Sequence, residues 1–159
     1  MFCIGRTVLA AVLLSVSCGL CAFDLQYGSF FNVSQIALQN GRPVLPLARG
    51  KYANVRVLDK ETFAFLKTCS ADCRQEGVSA EPRVYEIRSA LTRKGMWIAD
   101  VAFGDKWLVT FLIFKNPDGY GIVAPDHFTF LDRRLKAQVE QLLARAADGA
   151  GQAPAQETK

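Results

Sequence analysis

Residues 96–124, MWIADVAFGDKWLVTFLIFKNPDGYGIVA, leave this chain few ways to fold. The stretch Trp107 to Phe114 is apolar on both of its faces. It is far shorter than the roughly 20 residues a membrane-spanning helix needs, and it is rich in β-branched and aromatic side chains. Gly104-Asp105 and Asn116-Pro117-Asp118-Gly119 supply turns on either side, so the region reads as neighbouring antiparallel strands. In Met96–Phe103, Trp97, Ala99, Val101 and Phe103 share one face. Asp100, with Met96 and Ile98, lies on the other, and a lone acid in such a pattern is expected to mark a solvated face. A buried acid with a raised pKa is the rarer alternative.

The preceding segment, Arg83 to Arg93, also alternates. Its expected inward face is Tyr85, Ile87, Ser89 and Leu91, and Lys94-Gly95 turns it into the next strand. With Tyr120–Ala124 this makes a meander of four strands. Further upstream, Phe23 to Phe31 reads as an aromatic arm or short strand. Gln35–Gln39 and Pro43–Leu47 flank Asn40-Gly41, a strong two-residue hairpin signal, and Pro43 and Pro46 confine the second arm to an edge. Tyr52–Leu58 alternates as a strand. Asp59 is placed to cap a short helix, Lys60–Thr68, with Phe63, Leu66 and Phe65 turned inward. Arg74 to Pro82 reads as a polar connector.

Pro125 ends the meander. A second helix is expected from Thr129, with Asp132 as the acid of a capping box and Gly149 as the residue that stops it. Leu131, Leu135, Val139, Leu142, Leu143 and Ala146 form its apolar stripe. Arg133, Arg134, Lys136 and Arg145 lie on the opposite face, a solvated surface or a contact for an acidic partner or anionic lipid. The composition from Asp148 onward predicts a disordered tail. The expected fold is α+β: a mostly antiparallel meander packed against a C-terminal helix, with one shorter helix. Its domain boundaries are 1–22 for a leader, 23–147 for a single domain and 148–159 for the tail.

The N-terminus has the layout of a secretory signal, with one positive charge at Arg6, the apolar run Thr7–Ser17 and small residues after it. A cut after Ala22 leaves Phe23 first. A cut after Ser17 would expose Cys18 and raises the alternative of a lipoprotein anchored through that residue. Cys3, Cys18 and Cys21 belong to this region. Cys69 and Cys73 remain for the folded part, an even number suited to an oxidising compartment, and are expected to form a short-loop disulfide. Their spacing differs from that of thioredoxin-type pairs, and no further Cys or His lies nearby to complete a metal site.

Net charge is +4 and falls to +3 once a leader carrying Arg6 is lost, too little and too scattered for nucleic-acid binding. The single histidine, His127, follows Asp126. Adjacent residues of an extended chain point to opposite sides, so that acid is poorly placed to align the ring as a base. Phosphate-binding glycine loops, dinucleotide fingerprints, nucleophile elbows and histidine metal motifs do not occur. Neither a catalytic group nor a cofactor is expected.

Export, small size and many aromatics therefore predict a non-catalytic periplasmic accessory or binding protein. It would act through protein–protein contacts in the cell envelope, for instance with a secretion-type assembly. Arg133, Arg134, Lys136, Arg145, Trp97 and Trp107 are the expected contact residues. A carrier of a small apolar ligand or lipid, held between sheet and helix, is the alternative.

Overall fold

A computed structural model describes residues 22–46, 54–71, 73–90 and 93–152. The leader, the cysteines at 3, 18 and 21, Leu91 and the segment 47–53 lie outside the described residues, as does the chain beyond Gln152. Within them the α+β expectation holds, but the chain builds two sheets rather than one. The first contains β1 (Ala22–Tyr27), β2 (Phe31–Gln39) and β3 (Arg42–Val44), with β5 (Cys73–Gln75) and β10 (Phe128–Phe130) added from far along the chain. Its order is β10-β2-β1-β5, with β3 also on β2. The second contains β4 (Val55–Val57), β6 (Pro82–Ser89), β7 (Met96–Phe103), β8 (Trp107–Asn116) and β9 (Gly119–Val123). Its order is β4-β8-β7-β6, with β9 also on β8. Two helices are present among the described residues, α1 (Lys60–Leu66) and α2 (Arg133–Gln152).

The expected meander is the run β6 to β9. β7 and β8 pair without a break from Met96 opposite Phe114 to Phe103 opposite Trp107. Gly104 and Asp105 turn this hairpin with positive φ. A Cβ on Gly104 would meet the Ser79 carbonyl at 2.5 Å, so that turn has no room for a side chain. Asn40 and Gly41, with φ of 51° and 71°, form the predicted two-residue turn between β2 and β3. Pro43 sits in the edge strand β3, as its missing N–H requires.

One core serves both sheets and both helices. Phe31 lies at its centre. Its ring stacks on Tyr27 at 4.8 Å between centroids, and meets Phe128 at 4.9 Å, Phe103 at 5.3 Å and Trp107 at 6.2 Å. The first sheet thus covers the Phe103–Trp107 end of the second sheet's inner face. Helix α2 joins the same core through Leu135, Val139, Leu143 and Ala147. It packs chiefly on β6 and reaches the Trp97 end, where Gly151 approaches the Trp97 ring.

Several local expectations are corrected. Ile87 faces the core as expected, but Tyr85 is 64% exposed, because a bulge between Val84 and Glu86 shifts the register on β7 and turns Val84 to the core in its place. Ser89 is exposed too. The polar connector contains β5, which runs parallel to β1 with Leu25 opposite Cys73. Thr129 belongs to β10 and not to a helix. Asp132 is itself the cap of α2, accepting from the Arg134 N–H at 2.7 Å. Gly149 does not end that helix, which continues to Gln152. Ala147 is fully buried, Ala150 packs on the core and the Tyr120 hydroxyl donates to Asp148 at 2.6 Å. Docking outweighs the weak helix propensity of this stretch. In α1, Thr62 and Leu66 face inward, and Phe63 is only half-buried beneath the Lys67 ammonium.

Asp59 caps α1 as predicted, accepting from the Thr62 N–H at 2.8 Å. Burial works to raise its carboxyl pKa. Hydrogen bonds from Thr62 and the Glu61 N–H, with the Lys106 charge, outweigh that and hold it below the usual aspartate value. The resulting stability is present above the unfolded pKa of about 3.9 and is lost as pH falls through the lower folded value. Asp59→Asn retains a cap, so urea melts between pH 6 and 3 should show a shallower loss in that variant. Asp59→Ala should cost about 1 kcal/mol at neutral pH.

Cys69 and Cys73 are bonded, with 5.6 Å between their Cα atoms. The bond ties the chain after α1 to the start of β5. The closed loop is small, so replacing both cysteines with serine should cost about 2 kcal/mol or less. Hydrogen exchange should speed up first at Cys73–Gln75, the strand that the bond anchors.

Candidate interaction face

The inner face of the second sheet is occupied, and its chemistry lies on the outer one. Pleating sends Met96, Ile98, Asp100 and Ala102 of β7 outward together with Leu108, Thr110, Leu112 and Phe114 of β8. The neighbours extend this face: Arg88 beside Ile98, Glu86 beside Asp100, Arg56 beside Leu108 and Val123 beside Leu112. The packed elements of the core, including α2 and the first sheet, sit on the other side.

Asp100 is not solvated as the alternation predicts. It is 3% exposed, in the middle of this outer face. The Thr110 hydroxyl donates to its Oδ1 at 2.6 Å, and Arg56 reaches Oδ2 at 2.8 Å. Arg88 stands 3.4 Å from the same oxygen and 3.1 Å from Glu86. Thr110 has a single proton, which goes to the carboxylate. The Asn54 Oδ1 lies 2.8 Å from the same hydroxyl as a second, longer acceptor contact. Four strands thus converge on one carboxylate. Arginine stems shield it while their guanidinium groups stay near water, at 47% and 44% side-chain exposure. Around the network the face is apolar. Ile98 and Leu108 are buried, and Phe114 and Val123 are exposed. The Phe114 ring covers Gly121, where a Cβ would come within 2.1 Å of it.

The sequence-predicted contact residues divide. Arg133, Arg134, Lys136 and Arg145 are exposed along α2, with Lys136 in a loose pair with Glu140 at 3.7 Å. Trp97 and Trp107 are not surface residues. Trp107 is fully buried under Tyr27 and Phe31, and Trp97 is 8% exposed and packs on Tyr120. Both point inward because they share the pleat with Val101 and Phe103. His127 is half-buried in the turn before β10, where its carbonyl accepts from the Ser34 N–H. Among the described residues no three of His, Cys, Asp and Glu gather as metal ligands.

Two further features were missed at the level of sequence. One is the charge network itself. Its signal was present: β7 and β8 are apolar on both faces, which a solvated outer face does not require. The other is a depression of about 340 Å³ at the open end of the β7–β8 hairpin, lined by Arg93, Lys94, Gly95, Met96, Phe114, Lys115 and Asn116. A separate depression of about 460 Å³ lies on the outer side of the first sheet beside Asp24, Gln26, Asn32, Cys73, Arg74 and Leu131. Its charged groups have partners within the chain. Asp24 accepts from the Gln35 N–H at 3.0 Å, and Arg74 pairs with Glu76.

Comparison with protein-family models, curated proteins and solved structures finds no match for this chain.

Proposed function

We propose that this chain is an exported, non-catalytic binding protein of the cell envelope that works through protein–protein contacts, serving an assembly such as a secretion apparatus. One observation carries the reading: the outer face of the second sheet. There the exposed Phe114 and Val123 border a network of matched charges, away from the packed core. Exposed large apolar side chains grouped beside such a network are a mark of a protein contact surface. The leader-like N-terminus and the cysteine pair support an exported setting, soluble in the periplasm or anchored through Cys18.

The carrier alternative needs internal room between sheet and helix. That space is filled by Leu135, Val139, Leu143 and Ala147 of α2, none more than 5% exposed. The test is crosslinking in intact envelopes through a photoreactive residue at Leu112, on the outer face, together with intact-mass analysis of the purified chain. A specific protein partner is the expected result, and the mass fixes processing and lipidation. A co-purified small molecule with no crosslinked protein would defeat the reading.

A further inference from the structure

The outer face of the second sheet is electrically uneven. In its middle Arg56 and Arg88 share Asp100, and at the turn end of the β7–β8 hairpin Arg83 pairs with Asp105 at 2.6 Å. At the open end of the β7–β8 hairpin the pattern changes. Arg93, Lys94 and Lys115 line one depression that no acid lines, and among the described residues none of the three has an ion-pair partner. Backbone bonds fix the place from which they project. Lys115 N–H donates to the Gly95 carbonyl at 2.9 Å, and Met96 N–H to the Arg93 carbonyl at 3.3 Å. Like charges gathered this way repel one another, and an anion placed among them relieves that cost. Met96 and Phe114 line the same depression, and Phe114 leads on to the exposed Val123.

We propose that this corner and the apolar strip beside it bind an acidic segment of a protein partner, an extended stretch in which aspartate or glutamate stands next to aromatic or aliphatic residues. The inference rests on the protein-binding reading and specifies its chemistry. Its carboxylate would enter among Arg93, Lys94 and Lys115, and its apolar side chain would lie on Met96 and Phe114. A lipid surface fits less well. Asp100 and Glu86 lie on the same face, four residues along β7 from Met96, a distance of roughly 13 Å. A flat anionic bilayer pressed on the corner would also cover these carboxylates and the arginines already matched to them, and would gain no attraction there, whereas a single extended chain places its negative charge only among the unmatched cations.

The test uses a random dodecapeptide display library panned against the whole chain, with Lys94→Glu/Lys115→Glu as the comparison protein, its fold checked by circular dichroism. Enriched peptides should carry acids beside aromatic or aliphatic residues. Their affinity should fall about tenfold or more in the double variant, and weaken as salt rises from 50 to 200 mM. Enriched peptides without acids, or peptides that bind the variant equally well, would overturn the inference and leave the protein-binding reading standing. Failure to enrich any peptide also overturns it, and combined with an empty crosslink it removes the reading as well. A third arm uses vesicles of phosphatidylglycerol and phosphatidylcholine. Sedimentation of the parent chain but not the variant with these vesicles, without acidic peptide binders, would replace the proposal with a membrane contact.

Discussion

Phe31→Ala is expected to remove about 3–5 kcal/mol of stability, the range for deleting a buried aromatic ring. The ring is fully buried and stands against Tyr27, Phe103, Trp107 and Phe128, which come from β1, β7, β8 and β10. Its loss therefore opens a void at the contact between the two sheets rather than within either one. The neighbouring rings are large and held in strands, so they can relax into the void only partly. Against a typical total of about 5–15 kcal/mol, the change is about a fifth of the stability or more. Urea unfolding followed by tryptophan fluorescence should show a lower midpoint with an unchanged slope. Tyr85→Ala is the matched control, because that ring is 64% exposed, and it should change stability by no more than about 0.5 kcal/mol. A loss under about 1 kcal/mol for Phe31→Ala would contradict the shared core.

The second large effect concerns Asp100. Arg56→Met with Arg88→Met strips both cations from a carboxylate that is 3% exposed, and should cost about 3–5 kcal/mol. Arg56→Met alone should cost less, about 1–3 kcal/mol, because Arg88 remains 3.4 Å away. Adding Asp100→Asn to the double variant should recover most of the loss. The charge is then gone, while the Thr110 hydroxyl keeps an acceptor at that position. The rescue separates an uncompensated buried charge from mere loss of arginine packing, which Asp100→Asn would not repair. A double variant as stable as its parent would mean that water reaches the carboxylate when the arginine stems are removed.

Much of the architecture can be read from the residues. The period-two pattern of β7 and β8 carries the central hairpin, Asn40-Gly41 carries another, and Asp59 announces the first helix. These signals are local, so a single sequence contains them. What escapes is set by partners distant along the chain. β5 and β10 are three residues each, too short for a period, and exist because β1 and β2 offer them open edges. The bulge at Tyr85 exchanges the faces of β6 on its N-terminal side, without any glycine to mark it. Gly149 looks like a helix stop, yet the helix continues where Ala147 and Ala150 pack against the core. The candidate face was half legible. Its apolar positions and Asp100 could be placed together by counting along the strands. That Arg56 and Arg88 would converge on Asp100 depends on the order β4-β8-β7-β6, which no local pattern encodes.

Each sheet also has one margin divided between two short strands. β3 and β10 lie along the same side of β2, and β4 and β9 along the same side of β8. None of these four exceeds five residues. The longest margin strand, β6, carries Pro82, the Tyr85 bulge and alternating charge. Growth of a fibril requires a long, flat, unbroken template, and interrupted margins deny it one. A protein whose central strands are as apolar as Trp107–Phe114 can thus be kept at high concentration without its native state seeding aggregates.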